Sequence, residues 1–119
     1  MQIKELLSTT PMIPVLTMNN LDDTLPLCTA LMAGGLSVLE ITLRTKPALK
    51  AVEIISKELP EISVGVGTLL DPVDLIRAKN SGACFAVSPG LNMDLVEQAQ
   101  KDNLAYLPGI QTSSEAMTA

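Results

Sequence analysis

Val38-Leu39-Glu40-Ile41-Thr42-Leu43-Arg44-Thr45 is a run of β-formers interrupted by charge. Side chains in a strand alternate in direction. Leu39, Ile41 and Leu43 then face one way, toward covering helices, while Val38, Glu40, Thr42 and Arg44 face the other. A carboxylate, a hydroxyl and a guanidinium follow one another along one face at ~6.6 Å intervals. Two readings of that face compete. It is the solvated side of a half-exposed strand, with at most a structural Glu–Arg pair, or it is enclosed and does chemistry. The kind of sheet that holds the strand decides between them.

The flanking sequence supplies that context. Further candidate strands are Ile13–Thr17, Ser63–Val66, Cys84–Val87 and Ala105–Leu107, and the quoted run itself gives Val38–Leu43. Most are bounded by Gly, Pro or Asx. Amphipathic stretches separate them. Leu21–Ala33 runs into Gly34-Gly35, a helix stop, and Pro26 sets its start near Asp22 or Asp23. Pro47–Leu59 has Thr45 as its expected N-cap and halts before Pro60. Asp71-Pro72-Val73-Asp74 opens a helix that reaches Ser81-Gly82. Asn92–Lys101 is another, and a short helix near Ile3–Leu7 precedes the first strand.

Strand centres near 15, 40, 65, 86 and 106 repeat one βα unit every 20 to 25 residues. Strands joined by crossover helices are parallel, and a parallel sheet is covered on both faces. The solvated reading of Glu40 is thereby disfavoured. The fold class is α/β, either a (β/α)8 barrel or a doubly wound open sheet, and the short units favour the barrel. A full barrel takes ~200 residues or more, whereas residues 1–119 hold about five units. Thr112-Ser113-Ser114-Glu115 has the form of a capping box. It opens a helix that would end about one turn later. The chain is expected to be the N-terminal portion of a single, longer barrel.

Composition excludes several functions. With 47% hydrophobic and 18% charged residues the chain can build a core. Its net charge of −5, with scattered Lys and Arg, gives no basic stripe for nucleic acid. Phe85 and Tyr106 are the only aromatics, too few for a base-stacking platform. The absence of His removes imidazole metal sites and His-dependent triads. Cys28 and Cys84 sit in apolar runs without metal-ligand spacing and read as small buried hydrophobes. No apolar run reaches the ~18 residues of a membrane span, and residues 1–7 lack a signal-type apolar core. A cytoplasmic protein without metal or cofactor is expected.

Burial raises the pKa of a carboxylate and a neighbouring cation lowers it, a balance that suits Glu40 to proton transfer near neutral pH. Arg44 offers a planar fork for a substrate carboxylate. Gly65-Val66-Gly67-Thr68 follows the third strand, where glycines clear space and Thr68 can donate to an anion. Ser88-Pro89-Gly90 and Pro108-Gly109-Ile110 read first as turns and second as pocket walls.

Together these pieces resemble the bacterial class I aldolases that cleave 2-keto-3-deoxy-6-phosphogluconate (KDPG) and 4-hydroxy-2-oxoglutarate (KHG). The resemblance rests on Ile13-Pro14-Val15, Ala33-Gly34-Gly35, Leu39 to Thr45, Val64 to Thr68, Phe85 to Gly90 and Pro108-Gly109-Ile110, in order over nearly the whole chain. It implies a (β/α)8 homotrimer that needs no metal and acts on a keto acid through a lysine Schiff base. By the same resemblance Glu40 shuttles protons, Arg44 and Thr68 hold the pyruvyl carboxylate, and Pro89 lines the pocket. The family's lysine lies in a Lys-Phe-Phe-Pro-like strand, which is expected beyond Ala119. None of Lys4, Lys46, Lys50, Lys57, Lys79 or Lys101 has that context. The 119 residues alone are therefore expected to be inactive. Two alternatives are a different phosphosugar barrel enzyme and a non-catalytic half-barrel that self-associates through open sheet edges.

Overall fold

In the computed structural model, which describes residues 2–119, strands and helices alternate throughout. The order is α1 (Ile3–Ser8), β1 (Val15–Leu16), a 3-10 turn (Leu21–Asp23), α2 (Thr24–Ala33), β2 (Val38–Thr42), α3 (Ala48–Glu58) and β3 (Ser63–Gly67). Then come α4 (Pro72–Asn80), β4 (Phe85–Ser88), α5 (Met93–Asp102), β5 (Ala105–Pro108) and α6 (Ser113–Thr118). The five strands are parallel and lie side by side in chain order. A sheet that adds each strand beside the last is a barrel wall under construction. A doubly wound sheet would reverse its order at a switch point, and none occurs among these strands.

Most starts and stops follow from local chemistry. Asp71 and Asn92 cap α4 and α5 by accepting the Asp74 and Asp94 amides, and Pro72 sits in the first turn, where its missing N–H is harmless. Pro26 is likewise in the first turn of α2, behind a 3-10 turn capped by Asn20. Asn103 closes α5 in a left-handed conformation, φ 51°. Two expectations fail. Thr45 does not cap α3, whose N-cap is Pro47; the Thr45 hydroxyl donates to the Met18 carbonyl instead and ties the loop after β2 to the loop after β1. The first strand is two residues long, not five.

The sheet divides the apolar side chains into two layers. Leu39, Ile41, Val64, Val66 and Ala86 pack outward under α3, α4 and α5. Helix α3 contributes Ala48, Ala51, Val52 and Ile55, the spacing that puts one helical face on a sheet. The inward layer is smaller. It joins Val38 and Phe85 to Leu6 of α1, with Ile3, Ile13, Val87 and Ala105 at its margin. Complete burial of Leu6 contributes about 1.5–3 kcal/mol and seats α1 beneath the inner face. Cys28 is buried, as expected, whereas Cys84 is half-buried and its thiol donates to the Val64 carbonyl. No helix among the described residues is long and apolar enough to cross a membrane.

Candidate active site

The strand register sets the site. Val15, Glu40, Gly65, Phe85 and Ala105 are aligned across all five strands. Glu40 is the one ionisable residue of that row. It lies on the inner face in the middle of β2 and is 9% exposed. Its side chain leans toward the C-terminal ends of the strands. A β-carbon built at Gly67 would overlap Glu40 Oε1 and lie 2.6 Å from Cδ, so the carboxylate occupies the space above Gly67. Beneath it, the Phe85 ring fills the equivalent space at Gly65. The carboxylate thus has an aromatic floor on one side and opens toward the loops on the other.

Burial raises the Glu40 pKa above the ordinary carboxylate value, and the charge of Arg44 opposes that rise. The ion pairs of the described residues are Lys50–Glu53, Lys57–Glu53 and Lys79–Asp102, so Glu40 is in none of them. A structural Glu–Arg pair would have closed the gap to contact distance. Here Arg44 is near enough to be felt and free to hold something else.

Arg44 itself departs from expectation. Strand β2 ends at Thr42, and Arg44 lies in the following turn, exposed to solvent. Its place near Glu40 comes from the turn, not from strand alternation. Thr42 does point inward and is buried. Its hydroxyl donates to the Leu16 carbonyl at 3.2 Å and lies 3.2 Å from the Thr17 hydroxyl. That pairing fastens β2 to the short β1 and makes Thr42 a brace. The only sequence signal for Thr17 is its position at the end of the first apolar run.

Thr68 follows Gly67 directly and adopts φ 63°. A β-branched residue rarely takes this left-handed conformation. Such strain, of order 1–3 kcal/mol, concentrates where a backbone is held for function. Pro89 sits elsewhere on the same rim. It lines a cavity of about 350 Å3 with Gly90, Gly109, Ile110, Gln111 and Glu115. The structure therefore groups Glu40, Gly67, Thr68 and Arg44 and leaves Pro89 in an adjacent recess.

No lysine shares this inner face: Lys4, Lys46, Lys50, Lys57, Lys79 and Lys101 are all exposed, on helices or in the turn after β2. Among the described residues no group of three or more His, Cys, Asp or Glu could hold a metal ion. A carboxylate of raised pKa beside a cation, under a rim of small residues, is equipped to take up and return a proton next to an anionic substrate.

A family model described as KDPG and KHG aldolase matches residues 3–119. The KHG/KDPG aldolase of Escherichia coli K12 is 44% identical over 114 residues, covering 96% of this chain and 54% of that protein. The chain thus spans about half the length of the curated relatives it matches. The KDPG aldolase structure from Zymomonas mobilis ATCC 29191 superposes with a TM-score of 0.94 at 40% identity, over 98% of this chain and 56% of that one. The Legionella pneumophila KDPG aldolase, solved with pyruvate captured as a covalent carbinolamine, gives 0.95 at 39% identity, over 99% of this chain and 57% of that one. By sequence and by backbone, this chain belongs to the KDPG and KHG aldolase family.

Proposed function

We propose that this chain forms the N-terminal portion of a class I aldolase that cleaves KDPG, KHG or both, releasing pyruvate and an aldehyde. The observation that carries the reading is Glu40, a buried carboxylate of raised pKa, in a chain of this family. A lysine amine adds to the C2 carbonyl, and loss of water leaves an iminium. The C3–C4 bond then breaks and its electron pair moves into the iminium, giving an enamine. Glu40 accepts the C4 hydroxyl proton as the aldehyde forms, and a proton returned to C3 allows hydrolysis to pyruvate. Glyceraldehyde 3-phosphate is the aldehyde from KDPG and glyoxylate the one from KHG.

Arg44 and Thr68 hold the pyruvyl carboxylate, and Pro89 borders the remainder of the substrate. Because the six lysines here are exposed, the amine is assigned to the remainder of the complete protein, and residues 1–119 to the front of one barrel. The intact enzyme is read as a cytoplasmic homotrimer. Support for the covalent step comes from the carbinolamine described for the Legionella relative. The experiment is borohydride reduction of the complete protein with pyruvate, read by mass spectrometry. A lysine adduct is expected; its absence at saturating pyruvate rules out the Schiff-base reading.

A further inference from the structure

Two glycines on the inner face of β3 each hold the place of a side chain from a neighbouring strand. At Gly65 the occupant is the Phe85 ring, and at Gly67 it is the Glu40 carboxylate. Register explains the pairing. Glu40 is aligned with Gly65 and Thr42 with Gly67, so Glu40 reaches its seat by leaning one level along the sheet. It can do so because Gly67 presents no β-carbon. Were residue 67 alanine, the overlap with Oε1 and Cδ would push the carboxylate away from β3. Thr68, the proposed anion donor, is the next residue. The missing β-carbon therefore brings the proton-transfer group and the anion-binding rim together.

We infer that Gly67 is a positioning residue: its missing β-carbon is the seat that holds the Glu40 carboxylate beside Thr68. A tight turn does not account for this glycine. Gly67 is the last residue of β3 and is absent from the positive-φ positions, whereas Thr68, which does turn, is not a glycine. What residue 67 must lack is volume. This assignment rests on the proposed role of Glu40.

The test is a double-mutant cycle in the full-length protein, joined to kinetics. Gly67→Ala is expected to lower the thermal midpoint in the wild-type background. In the Glu40→Ala background, where nothing fills the seat, more than about half of that loss should disappear. Gly65→Ala is the control: its penalty comes from the Phe85 ring and should persist with or without Glu40. A Gly67→Ala penalty undiminished by Glu40→Ala overturns the inference, as does failure of the double variant to fold. If Gly67→Ala alone does not fold while the double variant does, the inference stands.

In folded Gly67→Ala enzyme, kcat for cleavage should fall on the order of a hundredfold, the loss associated with misplacement by about 1 Å. The borohydride-trapped pyruvate adduct should persist, and the ionisation limb of the pH–rate profile should move. A wild-type rate and an unmoved limb overturn the inference. Failure of the wild type to form an adduct instead removes the aldolase reading, and the stability cycle remains interpretable without it.

Discussion

Glu40 and Thr68 both hold conformations or charges that folding alone would not choose, and each cost can be measured. Burial raises the Glu40 pKa, so between the unfolded value near 4.5 and the higher folded value the native state binds more protons than the unfolded chain. Stability then falls as pH rises through that window, and the full cost persists above it. Glu40→Gln removes the titration. Its thermal midpoint relative to wild type should climb as pH is raised through the window, then level off. A difference independent of pH would show that the carboxylate is not desolvated. At Thr68 the cost is steric. Thr68→Ala keeps a β-carbon at φ 63° and Thr68→Gly does not. The glycine variant should exceed the alanine variant by about 1 kcal/mol, strain of 1–3 kcal/mol less the extra entropy of an unfolded glycine. Equal midpoints would mean that residue 68 carries no such strain. Both variants lose the hydroxyl, so substrate affinity separates its role from the backbone's.

Elements whose signals are local were legible in the sequence. The caps Asp71, Asn92 and Thr112 bond amides two or three residues away, within the reach of a short motif. Strands β2 to β5 lie within a residue of their expected bounds, and Gly, Pro or Asx bracket most of them. Thr45 shows where this stops. Its type fitted a cap, yet its partner is the Met18 carbonyl, 27 residues distant, and a tertiary acceptor leaves no mark near Thr45. Alternation along the strand predicts an inward Arg44 only if the strand continues past Thr42, where β2 ends. The proximity of Arg44 to Glu40 survived because the turn stays at the same rim. The Glu40–Gly67 seat depends on the register between two strands. The sequence of either strand shows a buried acid or a glycine pair, but not that one fits into the other. Strand β1 is confined to Val15–Leu16, and the residues just after it act as braces, through the Thr17 hydroxyl and the Met18 carbonyl.

Residues 2–119 combine a well-packed outer layer with a sheet whose edge strands are β1 and β5. The radius of gyration, 13.8 Å, is close to the ~13.5 Å of a compact domain of this length. The core under α3, α4 and α5 is continuous. The edges differ. Strand β1 offers two residues, and Val15 on it is 60% exposed. Strand β5 offers four residues, beside a groove of about 440 Å3 walled by Met93, Val96, Leu104, Ala105 and Tyr106 among others. An unpaired edge next to apolar side chains is a template for another strand. A polypeptide of residues 1–119 prepared by itself should therefore self-associate as concentration rises, as seen by light scattering. Leu107, on the inner side of β5 and exposed, is the place to interfere. An inward-facing charge blunts an edge, so Leu107→Lys should shift the polypeptide toward monomer while leaving the helical signal unchanged. A wild-type polypeptide that stays monomeric at all concentrations would show that the edge is sealed by its own chain. Association unaffected by Leu107→Lys would move the contact away from β5, with the β1 edge as the next place to look.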